Sequence, residues 1–197
     1  MRTLVALLAT VSVVGTAQAQ QAGQMAPGKM AAAPARTPAA KIQEAMTAAP
    51  ASISRDATIM DWAAKEGAQM TQLRAGTNKW TCMPDFPQTK GVDPMCVDDQ
   101  WMPFMGAMMS KAAPHVTHAG VGYMIAPGGG YGCNKDPYAT KETPDNEWGY
   151  DPPHIMLLVT DLKELQGLPT TRQSGPWVMW TGTPYAHVMI PVASTTK

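Results

Sequence analysis

The amino-acid sequence predicts an α+β protein: a single domain with a mainly antiparallel sheet and one or two packed helices. Three observations carry this expectation. Short apolar runs, each with a methionine near its middle, recur toward the C-terminus between clusters of Gly, Pro, Asp and Asn, which is the pattern of strands and turns. Stretches with helical spacing are few, and they do not alternate with the strands as βαβ units would. Residues 51–197 number roughly 150, the usual size of one domain around one core.

The first 19 residues, MRTLVALLATVSVVGTAQA, read as a signal peptide. Arg2 leads, an apolar run follows from Leu4 to Val14, and Ala17-Gln18-Ala19 supplies a small-x-small cleavage site. The run is far shorter than the roughly 20 residues a bilayer-spanning helix needs. The expected product is periplasmic or secreted, with no integral membrane segment after signal cleavage. Residues 20–50 are rich in Ala and Pro and poor in large apolar groups, so they read as a disordered tether. Within them, 41–49 offers only Ile42 and Met46 to a short helix, which alone is marginal in water.

Within 51–197 the elements follow in order. Residues 58–62 form a short strand or helix start. Residues 69–75 and 79–83 flank Gly76-Thr77-Asn78 and read as a hairpin. In 98–113, Asp98 and Asp99 are placed to cap a helix, Pro103 fits its first turn, and Trp101, Phe104 or Met105, and Met108 recur at helical spacing. A strand is expected near 121–125, then a long irregular segment over 128–153 of the functional-loop kind. Strands follow at 154–159, 176–181 and 186–192, with a short helix over 161–167 that Asp161 caps and Gly167 ends. The last two strands should pair as an antiparallel hairpin.

Three cysteines in an exported chain imply oxidation. The close pair Cys82 and Cys96 is the expected disulfide, with the pairings of Cys133 to either left open, and Cys133 then remains as a free thiol, buried, reactive or shared between chains. Formal net charge is zero and the charges are interspersed. No basic patch exists to attract nucleic acid or an anionic membrane surface.

Three stretches, "GTNKWTCMPD", "GVDPMCVDDQWM" and "GPWVMWTGTPYAHVMIPV", together resemble an uncharacterised family of exported bacterial proteins. That family carries G-T-N-x-W-T-C-M-P-D, then D-P-M-C, and a C-terminal G-T-P-Y-A-H-x-M. The resemblance implies a single exported domain.

His-x-Met occurs twice inside apolar runs: His154 with Met156, and His187 with Met189. Residues two apart share a face of a strand. If the strands are neighbours, imidazoles and thioethers line one layer, and that donor set suits copper, Cu(I) in particular. A methionine-rich core with two hydrogen-bonded histidines explains the same pattern with fewer assumptions. The function expected is small-ligand or soft-metal binding, or a structural role. The alternative is a hydrolase-type enzyme using His154 or His187 with a residue of the 128–153 loop, the imidazole being oriented by Asp151 or Asp161.

Overall fold

The computed structural model describes residues 36–65, 68–87 and 89–192. The signal peptide expected at 1–19 and the part of the expected tether up to residue 35 lie outside the described residues. The compact unit begins at Arg36, not at residue 51. Its first element, helix α1 (Pro38–Met46), occupies sequence assigned to the tether. Thr37 caps it by accepting the Ala40 N–H at 3.2 Å, and Pro38 supplies a preset first turn. Isolated, such a helix would be marginal; here Ala45 of the helix and Ala48 and Ala49 just after it are buried with Ile59, Cys82 and Cys96, and small side chains let this segment lie close to the sheet. Arg36 pairs with Glu44, and Lys41 with Asp61 at 2.6 Å. A single turn, α2 (Ala51–Ser54), follows.

The sheet has eight strands: β1 (Thr58–Asp61), β2 (Thr71–Arg74), β3 (Thr81–Met83), β4 (Met95–Val97), β5 (Gly120–Met124), β8 (His154–Leu158), β9 (Trp177–Met179) and β10 (His187–Pro191). Their spatial order is β2-β1-β3-β4-β5-β8-β10-β9, and among the described residues only the β1–β3 pair is parallel. The fold is therefore α+β with a mainly antiparallel sheet.

The hairpin expected around Gly76 does not form, because β1 lies between β2 and β3. The Thr77 and Asn78 N–H groups both donate to the Asp56 carbonyl, at 2.8 and 3.2 Å, which carries the segment across the start of β1. A Cβ on Gly76 would overlap the backbone of Ala57 and Thr58. Glycine serves a crossing here, not a turn. The 128–153 segment is likewise not irregular throughout: β6 (Gly130–Cys133) and β7 (Trp148–Asp151) form a separate two-stranded ribbon. The final hairpin, β9 with β10, forms as expected, and Asp161 caps a short 3-10 helix, Leu162–Leu165.

Cys82 and Cys96 face each other across β3 and β4 and are joined by a disulfide. Both point to the face that α1 covers. Alternation sends Met83, Met95 and Val97 to the opposite face, where helix α3 (Trp101–Met109) packs. The Asp98 carboxylate accepts from the N–H groups of Gln100, Trp101 and Val121, so one side chain fixes the helix start against β5. Trp101 and Phe104 are its buried residues, with Met105 and Met108 partly buried beside them. Among the described residues, no helix is long and apolar enough to cross a membrane.

Candidate functional site

Strand register builds the α3-facing layer row by row. In the first row Met124 of β5, His154 of β8 and Pro191 of β10 stand side by side. In the second row come Gly122, Met156, Met189 and Trp177. In the third, Gly120 faces Leu158, and His187 faces Met179. The methionines of the late strands thus do share one layer, and eleven methionines in all pack in or against this core. Met156 and Met189 are direct cross-strand partners.

The two histidines are not brought together in the same way. They share the face but their backbone positions stand two rows apart, four residues or about 14 Å along the strands at a rise of ~3.4 Å per residue. Rather than lying together at one end of the thioether layer, they bracket Met156 and Met189.

Each ring is set by the carbonyl two residues before it. His154 Nδ1 lies 2.6 Å from the Pro152 oxygen, and His187 Nδ1 lies 3.0 Å from the Tyr185 oxygen. A carbonyl can only accept, so both Nδ1 atoms carry the proton and both Nε2 atoms carry the lone pair. Burial pushes both pKa values down, and neither neighbouring carbonyl offsets it. His187 falls to about 4, with a further push from His154. Both imidazoles are therefore neutral at pH 7.

Their surroundings differ. His187, 1 % exposed, meets Trp180, Trp101 and Phe104 edge-on with ring centroids 4.9, 5.3 and 6.5 Å away. Trp180 is held there by its own N–H on the Asn134 carbonyl and its indole N–H on the Cys133 carbonyl at 2.9 Å. His154, 3 % exposed, has no aromatic box, and its Nε2 is buried without a hydrogen-bond partner. The indole N–H of Trp101 is also buried and unpartnered. That indole and the Met156 methyl share the space over Gly122, where an added Cβ would lie 3.4 Å from Trp101 Nε1 and 2.7 Å from Met156 Cε.

The remaining sequence candidates are engaged elsewhere. Cys133 is a free, buried thiol that donates to the Asn146 carbonyl at 2.7 Å and accepts the Asp136 N–H at 3.1 Å. Asp151 is gripped by Arg172 through two contacts of 2.7 and 3.3 Å, and Arg172 also reaches the Gly132 and Glu147 carbonyls. Among the described residues no side chain of the 128–153 segment hydrogen-bonds either histidine. An open groove of about 500 Å³, lined by Leu162, Leu165, Leu168, Val178 and Ala186, lies on the other face of β9 and β10. Among the described residues no three His, Cys, Asp or Glu side chains gather as a metal site.

Met124 beside His154, and the aromatic box around His187, were outside sequence reach. The first depends on β5 and β8 being neighbours although about thirty residues separate them, and the second on α3 lying over β10. No protein-family model, curated protein or solved structure matches this chain. Its functional reading therefore rests on the side chains themselves.

Proposed function

We propose that this chain is an exported binding protein that seats a soft metal ion, Cu(I), at His154 in the methionine layer beneath α3. The observation that carries the reading is the Nε2 lone pair of His154, neutral, buried and without a partner. An imidazole that donates its other nitrogen to a backbone carbonyl is oriented as metal-ligating histidines are. Thioethers around it favour Cu(I) over harder cations. The export signal read at 1–19 and the Cys82–Cys96 disulfide support a periplasmic or secreted location.

The test is a competition titration of the purified protein with Cu(I) against a chromogenic chelator, using ascorbate as reductant so that the disulfide survives. The wild type should hold one ion at least tenfold more tightly than His154→Leu. Equal chelator competition by the two proteins would end the reading. A hydrolase reading finds no support in the geometry, because Asp151 is taken by Arg172 and the Cys133 sulfur by backbone groups.

A further inference from the structure

If His154 seats the ion, the strand register selects its other donors, and they are not those that sequence pairing favours. His187 lies two rows away inside an aromatic box. Met124 is the direct cross-strand partner of His154. Such partners have Cβ atoms about 5 Å apart, within the reach of a flexible thioether. Met156 follows on the same face of the same strand, two residues or about 7 Å on. Its methyl already turns toward β5 over Gly122, whose missing Cβ leaves the space.

We infer that the seat is a neutral three-donor site, His154 Nε2 with the thioether sulfurs of Met124 and Met156, selective for a monovalent soft cation, and that His187 is not a ligand. This rests on the reading of His154 as the metal residue.

The charge balance supports the selectivity. All three donors are neutral: thioethers carry no charge, and the ring of His154 places its one proton on Nδ1, toward the Pro152 carbonyl. The carboxylate of Asp151, three residues before His154, is held by Arg172 at 2.7 Å. A buried divalent ion would keep two uncompensated charges, and the cost of burying charge rises steeply with its magnitude. A univalent ion keeps one and gains the soft sulfur donors. The donors also continue outward. Register carried one residue beyond the Cys96–Tyr123 pair places Met95 beside Met124, and Met83 is the partner of Met95. A row of thioethers on adjacent strands, roughly 4.8 Å apart, thus leads away from His154.

The experiment uses the exported protein in a Cys133→Ser background, because a thiol would compete for soft metals. Cu(I), Ag(I) and Zn(II) are titrated separately, and the copper-edge absorption of the Cu(I) form counts nitrogen and sulfur neighbours. One nitrogen and two sulfurs, a tenfold or greater loss of affinity in Met124→Leu and in Met156→Leu, less than a twofold change in His187→Phe, and no retained Zn(II) are expected. Two nitrogens, or a loss in His187→Phe without one in Met124→Leu, would overturn the inference while leaving Cu(I) binding intact. Zn(II) held as tightly as Cu(I) would overturn the charge argument. No Cu(I) retention at all would remove the functional reading itself. Thermal melts check folding, and Met124 is only partly buried, so its variant carries the test should Met156→Leu fail to fold.

Discussion

The rings of His187 and Trp180 meet edge-on, 4.9 Å apart at 75°. Trp101 completes the same arrangement from α3 at 5.3 Å and 83°. An imidazole walled in this way is tolerated only while neutral, which is why burial takes its pKa to about 4. Since the folded pKa is depressed below the ordinary 6.5, the contribution is fully present above pH 6.5 and is lost as pH falls toward 4. His187→Phe should keep the aromatic packing and remove that part of the acid limb. Melting temperatures of both proteins from pH 7 to pH 4 check it, and parallel curves would refute it.

Asp93 works in the opposite direction. Burial, then the hydrogen bond and charge of Asp85, raise its pKa from 3.8 to about 8. Asp85 accepts the Asp93 N–H at 3.1 Å and has Arg36 at 4.0 Å, and Glu44 accepts the Asp85 N–H. The folded chain holds this proton and the unfolded chain releases it, so the contribution is full below about pH 4 and is lost by about pH 8. Asp93→Asn, which keeps a donor toward Asp85, should match the wild type near pH 4 and melt higher at pH 8. Because His187 and Asp93 oppose each other between pH 4 and 6.5, each is read from its own wild-type-minus-variant curve.

How far the sequence could be read follows from the range of each interaction. The Asp98 carboxylate that accepts the Gln100 and Trp101 N–H groups at the start of α3, the turn at Asp161 and the β9–β10 hairpin are local, and each was legible. The Cys82–Cys96 pair was legible because the spacing is short and the export expected from residues 1–19 implies oxidation. Strand alternation also showed that each His-x-Met pair shares a face, and left open whether the late methionines share a layer. It could not tell that His154 and His187 sit two rows apart, since that depends on the β8–β10 register. The Gly76 segment misled because a glycine that permits a close crossing looks, in sequence, like one that permits a turn. Helix α1 was hidden by its short length and its few large apolar residues, Ile42 and Met46, although Thr37-Pro38 carries the cap and first-turn pair that marks a helix start.

That helix gives the third prediction. A chain beginning at residue 51, the boundary the composition suggests, would uncover Ile59, Cys82 and Cys96, which are 0 % exposed behind α1. Exposing Ile59 alone costs about 1.5–3 kcal/mol. The Lys41–Asp61 ion pair and the Glu44 acceptor for Asp85 would go as well. Urea unfolding should show a midpoint well below that of a chain beginning at residue 36. Equal midpoints would mean that α1 merely rests on the sheet.

Cys133 supplies the last. Its thiol hydrogen goes to the Asn146 carbonyl, its sulfur takes the Asp136 N–H, and its own carbonyl takes the Trp180 indole N–H. The side chain is thus a polar clasp between the β6–β7 ribbon and the loop joining its strands, rather than a nucleophile. Serine has the same donor and acceptor and should be tolerated, whereas alanine leaves two backbone groups without partners and should cost about 1–3 kcal/mol. Against a thiol-reactive chromogen, the native protein should react slowly and the urea-unfolded protein at once. The alanine penalty separates the clasp from simple burial: if Cys133→Ala unfolds at the same urea concentration as Cys133→Ser, the sulfur's hydrogen bonds contribute nothing and only its volume matters.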